Sequence, residues 1–279
     1  MRKFFGTFIL GLSLTLGLFG DDATSVTDTQ DYRELCYQAV INDEVFKTFK
    51  RSPIYRNVLE HVTYDQGLEY LAVIKKKYPD LLSYWDTFSQ NDLIGTPMVY
   101  FYPDLGGYAS PTTLRYVKIA GELKELFGSL HGKRIIELGG GYGGQCKILS
   151  DLFAFESYHH IDLPEPLALI TKYLTAMQVS NTVMTASDEC QEESCDLFIS
   201  NFGFCECSRS AQEEYMQKYI LKSKAGYMIL SNAREYLTPK PFSLMEIRRE
   251  LLKGGYKVKL YAEEPSTNKK NILIVWERK

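Results

Sequence analysis

The sequence predicts an α/β fold: a mostly parallel sheet with a terminal antiparallel strand, preceded by a small helical domain. Three observations predict it. Apolar runs of strand length alternate with helical stripes from residue 134 onward. A glycine-rich turn, Gly139-Gly140-Gly141-Tyr142-Gly143-Gly144, separates the first such run from the first such stripe. The last two apolar runs, around 256–260 and 272–276, have only a polar turn between them, so they pair antiparallel at the sheet edge.

At the N-terminus, Met1-Arg2-Lys3 is followed by 17 uncharged, mostly apolar residues from Phe4 to Gly20, then Asp21-Asp22. A basic start, an apolar middle and an acidic exit read as a secretory signal, or as a marginal membrane anchor, since spanning takes about 20 apolar residues. Export, or membrane contact through residues 4–20, is therefore one expectation. An unprocessed extension is another, because Leu18 and Gly20 flank no A-x-A cleavage site. Residues 21–130 read as a helical lid region. Leu68, Leu71, Ile74 and Tyr78 share one helical face. So do Leu114, Val117, Ala120 and Leu123, after Ser110 as N-cap and Pro111 at the first helical position. Between them, residues 91–107 form an aromatic loop rich in glycine and proline.

Residues 131–279 carry the alternating pattern. The run Arg134-Ile135-Ile136 closes on Glu137, and Cys146, Leu149, Leu152 and Phe153 then mark one helical face. Glycine between them lets the backbone take positive φ and keeps Cβ atoms away from a ligand. The dinucleotide fingerprint is G-x-G-x-x-G. Here the spacing is Glu137-x-Gly139-x-Gly141-x-Gly143. An acid before the first glycine repels a pyrophosphate but suits a ligand carrying an amine and a sulfonium, which disfavours a nicotinamide-linked oxidoreductase. The pattern resembles the first motif of Rossmann-like S-adenosylmethionine (SAM) methyltransferases, which makes Glu137, Gly139, Gly141 and Gly143 candidate cofactor residues and Tyr142, within the turn, a candidate substrate contact. The next strand runs from Glu156 to Ile161 and ends at Asp162, 23 residues after Gly139. An acid at about that distance accepts from ribose hydroxyls. Its other reading is a cap on a helix beginning at Pro164 or Pro166.

The third strand is Thr182-Val183-Met184, and Asp188 beyond it is a candidate for the adenine amino group, or an ordinary loop aspartate. Cys195 to Ser200 is a short buried strand ending at Asn201, a further cofactor candidate. Ser210 and Glu213 form a capping box ahead of an apolar stripe through Tyr215, Met216, Tyr219 and Ile220, and Gly226 suits that helix's end. Tyr227 to Ser231 is the next strand. Ser243 and Glu246 form a second capping box, on a helix closing at Gly254-Gly255. Tyr256, Val258 and Leu260 then alternate with lysines as a half-exposed strand.

Five blocks together resemble the sugar O-methyltransferase family: Asn91-Asp92-x-Ile94-Gly95-Thr96-Pro97, residues 110–116 (SPTTLRY), residues 137–145 (ELGGGYGGQ), residues 158–165 (YHHIDLPE) and residues 200–206 (SNFGFCE). The resemblance runs from about residue 90 to the C-terminus. It implies a Rossmann-like fold, SAM as cofactor, and a hydroxyl of a sugar or sugar-bearing metabolite, small molecule or glycan, as acceptor. The last block departs from the family's usual Ser-Asn-Tyr-Ala-Phe-Ser-Glu at Phe202, Gly203 and Cys205. A sugar hydroxyl is a poor nucleophile and needs a positioned base. Glu206, five residues beyond the strand, is the candidate; its other reading is a favourable charge at the next helix's N-terminus. Arg115 is a candidate substrate residue, clamping an acidic sugar or pairing with a surface carboxylate. The alternative to an enzyme is an exported, non-catalytic glycan- or protein-binding module on the same fold, motivated by the leader.

His159 and His160 are adjacent in a strand, so they point to opposite faces and do not form a two-histidine metal site. Cys190, Cys195, Cys205 and Cys207 lie close in sequence without a C-x-x-C, and no metal centre is expected. The 20 Tyr and 15 Phe offer aromatic surface, most of it assigned to the core. Net charge −3 and the absence of a basic cluster argue against a nucleic-acid partner.

Overall fold

Helices in the first part of the chain start where a side chain takes up a free backbone N–H. The computed structural model describes residues 28–231, 240–268 and 270–279, so the apolar leader lies outside the described residues. Thr29 accepts from the Tyr32 amide at the start of α1 (Gln30–Ile41), and Asn42 accepts from Glu44 and Val45 at the start of α2 (Asp43–Thr48). Proline supplies the first position of α3 (Pro53–Val58), and Thr63 with Gln66 makes a capping box on α4 (Tyr64–Lys77). A single turn, α5 (Trp85–Phe88), leads into the loop expected at 91–107. That loop carries β1 (Tyr100–Tyr102) and ends in β2 (Gly107–Ala109), which pair as an antiparallel hairpin. Of the face expected on α4, Leu71, Ile74 and Tyr78 are buried, and the hairpin accounts for the departure of Leu68. The buried residues are Gly67, Tyr70, Leu71 and Ile74, while Leu68 is 40% exposed. The reason is steric: Tyr102 fills the space beside Gly67, where an added Cβ would stand 2.0 Å from its hydroxyl. The long helix α6 (Pro111–Phe127) begins at Ser110 and Pro111 and buries Leu114, Val117, Ala120 and Leu123, as expected.

The remaining elements alternate as the sequence predicts. They are β3 (Arg134–Leu138), α7 (Gly144–Ser150), β4 (Ser157–Asp162), α8 (Pro164–Ala176), β5 (Thr182–Ala186) and β6 (Leu197–Asn201). There follow α9 (Gly203–Glu206), α10 (Arg209–Lys218), β7 (Ala225–Ser231), α11 (Leu244–Lys253), β8 (Tyr256–Ala262) and β9 (Asn271–Arg278). The sheet order is β5-β4-β3-β6-β7-β9-β8. The first five strands are mutually parallel, and β9 runs antiparallel to both of its neighbours. Counted from β3, that order is 3-2-1-4-5-7-6, the arrangement of a Rossmann-like methyltransferase sheet. Ile135, Tyr158, Ile199 and Tyr227 bury one face against α6, α7, α8 and the preceding helices. Ile136, Phe198, Met228 and Trp276 bury the other against α10 and α11. Among the described residues, no helix is long and apolar enough to cross a membrane.

Two boundary expectations are corrected. The N-cap of α10 is Ser208, not Ser210, and its hydroxyl accepts from the Ala211 amide. Glu213 is drawn to Arg209 at 2.8 Å instead of reaching back to close a box. Gly226 ends no helix but sits inside β7, where the Trp276 ring occupies the place of a Cβ, 1.9 Å away. The capping box of Ser243 and Glu246 forms as expected.

Candidate active site

The strand order reverses between β3 and β6, and in open α/β sheets ligands bind outside the strand ends at such a switch point. The turn after β3 uses left-handed glycines at Gly139 (φ 81°) and Gly141 (φ 63°). The turn after β6 touches it. A Cβ on Gly203 would stand 2.5 Å from the Leu138 carbonyl oxygen, and one on Gly139 would stand 2.9 Å from the Gly203 Cα. Ser200 fastens the two, donating to the Leu138 carbonyl at 3.1 Å and accepting from the Phe204 amide at 2.9 Å. Phe202, between them, is held at φ 71°, a conformation that costs a non-glycine residue about 1 kcal/mol or more. The short helix α9 that carries Glu206 is thereby locked to the edge of the glycine turn.

Beside this edge lies a cavity of about 390 Å³, within the range of small-molecule sites. The strand ends and the turns that follow them contribute Gly139, Gly141, Asp162 and Asn201, and α9 contributes Glu206. The helical region contributes Leu59, His61, Gln66, Tyr70 and Arg115, and the β8–β9 connection contributes Glu263 and Asn271. Six of the expected site residues therefore share one cavity: Arg115, Gly139, Gly141, Asp162, Asn201 and Glu206. Asp162 does not cap α8, whose N-cap is Leu163 with Pro164 at the first position. Instead its carboxylate accepts from the Leu163 amide at 2.8 Å and from the amides of Gly140 and Gly141. Burial pushes Asp162 up to about 7 against the pull of those amides, and the nearby charge of Glu206 adds to the rise. The side-chain oxygen and nitrogen of Asn201 are buried and have no protein partner among the described residues. Burial, and then Arg115, hold His61 down at about 4.

Four expected site residues do not line the cavity. Glu137 shares the sheet face of Ile135, is 1% exposed, and accepts from the Tyr158 hydroxyl at 3.0 Å beneath the glycine turn. Burial raises it to about 8. Gly143 lies at the N-cap of α7, and a Cβ there would press on Leu174 and Ile170. Tyr142 is fully buried, with its hydroxyl accepting from Asn91 at 2.9 Å and its ring 3.9 Å from the Lys50 ammonium. It ties the glycine turn to the helical region instead of facing a substrate. Asp188 is exposed, and its neighbour Ser187 lines the cavity in its place.

The β8–β9 wall is absent from the sequence reading. Glu263 is buried there, accepting from the Thr267 hydroxyl at 2.6 Å and the Asn271 amide at 2.9 Å. The segment reads as a polar turn, and only the approach of Glu263 and Thr267 to Tyr70 on the cavity wall makes it part of a site. Phe202 and Gly203 line the cavity too; their departure from the family block was the one signal pointing to them.

The sequence matches no family model and no curated protein. Among solved structures, the chain is similar to an S-adenosylmethionine-dependent methyltransferase from Clostridium acetobutylicum, with 9% identity over 57% of this chain and 89% of that one, at a TM-score of 0.45. An rRNA methylase from Streptococcus thermophilus is 16% identical over 57% of this chain and 93% of that one, at a TM-score of 0.41. Phosphoethanolamine N-methyltransferase 2 of Haemonchus contortus, in complex with S-adenosyl-L-methionine, is 14% identical over 56% of this chain and 51% of that one, at a TM-score of 0.44.

Proposed function

We propose that this chain is a SAM-dependent methyltransferase whose acceptor is a hydroxyl of a sugar or of a sugar-bearing metabolite. The observation that carries the reading is the convergence of Gly139, Gly141, Asp162, Asn201 and Glu206 on one cavity at the switch point of the sheet. The donor set fits a cationic cofactor. Three acidic side chains, Asp162, Glu206 and Glu263, line the cavity, and Asn201 offers a donor and an acceptor that no group among the described residues uses. Asp162 would take the ribose hydroxyls, and the backbone of Gly139 and Gly141 would leave room for the amino-acid end. When bound, SAM supplies a methyl group activated on a sulfonium.

The protein's part is then positioning and proton removal. Holding the acceptor in line and in near contact can supply most of the acceleration. Glu206, fixed by the contact of α9 with the glycine turn, would take the proton of the acceptor hydroxyl. The acceptor wall of Gln66, Glu263 and Asn271 is rich in amides and carboxylate, groups that match the many hydroxyls of a sugar. The resemblance blocks at 91–97 and 110–116 support the reading through architecture. Asp92 accepts from the Ser110 amide and hydroxyl and from the Thr113 hydroxyl, each at 2.7 Å, joining the two blocks beside Tyr142.

Titration calorimetry with SAM, S-adenosylhomocysteine and NAD tests the cofactor. The expected outcome is binding of the first two; NAD binding without either would overturn the reading. A panel of sugars and nucleotide sugars with methyl-labelled SAM then tests the acceptor. SAM binding with no methyl transfer to any of them would restrict the conclusion to a SAM-binding module.

A further inference from the structure

Among the described residues, Arg115 stands on the cavity wall with no carboxylate within 4.0 Å. Its hydrogen bonds are a long one, 3.4 Å, to the Leu59 carbonyl and one with Tyr116, whose ring lies 5.6 Å from the guanidinium. A guanidinium has five N–H donors and does not lose its proton inside proteins, so at this partly buried position its charge is left to be met by something else. The acid in its field, Glu60, favours its charge from beyond 4.0 Å but forms no ion pair with it. Burial pushes that carboxyl toward its neutral form, and its bonded oxygen is taken by the Thr112 hydroxyl at 2.8 Å. Lys50 shows the contrasting solution. It is fully buried, with no carboxylate within 4.0 Å among the described residues, but burial lowers it to about 8, and it rests on the Tyr142 ring and the Asn91 carbonyl. Arginine has no such exit.

We propose that Arg115 is the carboxylate receptor of this cavity, gripping in bidentate fashion the amino-acid end of the methyl donor. Leu59 supports that choice of ligand end. Its carbonyl holds the guanidinium, and its side chain lies against Gly141, 2.5 Å from where a Cβ would stand. Arg115 is therefore one residue removed from the glycine turn. The inference rests on the SAM reading above and deepens it. A carboxylate can also come from an acidic sugar acceptor, and planar paired donors serve either source equally.

Calorimetry on the full chain, its Arg115→Met variant and its Arg115→Lys variant separates the sources. The probes are S-adenosylhomocysteine, which has the carboxylate, and 5′-methylthioadenosine, which lacks it. D-glucuronate and methyl glucoside follow, at saturating S-adenosylhomocysteine. The expected result is a loss of at least about tenfold in S-adenosylhomocysteine affinity for Arg115→Met, on the scale of a charged hydrogen bond. Binding of 5′-methylthioadenosine should stay unchanged, with partial rescue in Arg115→Lys. A loss confined to glucuronate, with both adenosine ligands unaffected, overturns the assignment to the methyl donor and gives the grip to an acidic acceptor instead. Equal losses for S-adenosylhomocysteine and 5′-methylthioadenosine, or no loss for any ligand, overturn it and reduce Arg115 to a packing residue. A wild-type chain that binds neither adenosine ligand overturns the SAM reading itself, and this inference with it.

Discussion

Asp162 has two duties that compete for one carboxylate. It holds the amides of Gly140, Gly141 and Leu163, and in the proposed complex it also accepts from ribose. Burial raises it to about 7, so near neutrality it is divided between the acid and the carboxylate. Accepting from two hydroxyls requires the ionised form. Affinity for S-adenosylhomocysteine should therefore rise as pH passes upward through 7, and this rise should vanish in Asp162→Asn. Calorimetry from pH 5.5 to 8.5 checks it, and a rise that survives the substitution would remove Asp162 as its source. Asp162→Ala should weaken binding by about 2 kcal/mol, the cost of leaving buried hydrogen-bonding groups unpaired. Glu206 carries a separate expectation. Glu206→Gln should lower single-turnover methyl transfer by about 10²–10⁴-fold, the usual range for a general base, with S-adenosylhomocysteine affinity near wild type. Unchanged transfer would leave Glu206 as a helix-end charge.

At the level of elements, the contact between the turns after β3 and β6 sets the position of α9 and hence of Glu206. Gly203→Ala places a methyl 2.5 Å from the Leu138 carbonyl oxygen, and neither backbone segment can yield without moving the other. The variant should lose about 1–3 kcal/mol of stability in urea unfolding, as overpacked sites do, and should lose transfer activity beyond what its cofactor affinity explains. This contact also shows where sequence reading stops. The strands, the stripe on α6 and the glycine turn were readable because each is a local pattern with its own period or spacing. The place of Asp162 and Asn201 on the cavity was readable because the last residues of parallel strands face the crevice in this architecture. Glu137 was not, because a parallel strand covered on both faces shows no period-two alternation to say which way its side chain turns. Tyr142 and the Glu263 wall depend on packing against Asn91, Lys50 and Tyr70, residues 51, 92 and 193 positions away, respectively. No local pattern encodes such partners.

On the scale of the whole molecule, the face of the sheet shared by the first helices and α6 to α8 encloses a buried trio, Glu137, Tyr158 and His160. Glu137 lies 3.6 Å from the His160 ring and 3.0 Å from the Tyr158 hydroxyl. This is not an ion pair at neutral pH. Burial raises Glu137 to about 8 and lowers His160 to about 3, so both are pushed toward their uncharged forms. The two affect stability in opposite directions. A carboxyl raised from 4.5 to about 8 gives stability that is complete below pH 4.5 and is lost as pH rises through 8. A histidine lowered from 6.5 to about 3 gives stability that is present above pH 6.5 and is lost as pH falls through 3. Asp162, raised from 3.8 to about 7, adds to the loss on the alkaline side. The ligand-free protein should therefore become less stable between pH 5.5 and 8.5, and Glu137 should cause a large part of that loss. Glu137→Gln keeps an oxygen for the Tyr158 hydroxyl and removes the ionisation, so its urea midpoint should fall less across the same interval. With the two midpoints measured side by side at pH 5.5, 7 and 8.5, the variant's relative stability should increase at each step. Parallel curves would mean that Glu137 titrates as an ordinary exposed carboxylate, and that the trio beneath the glycine turn is hydrated instead of enclosed.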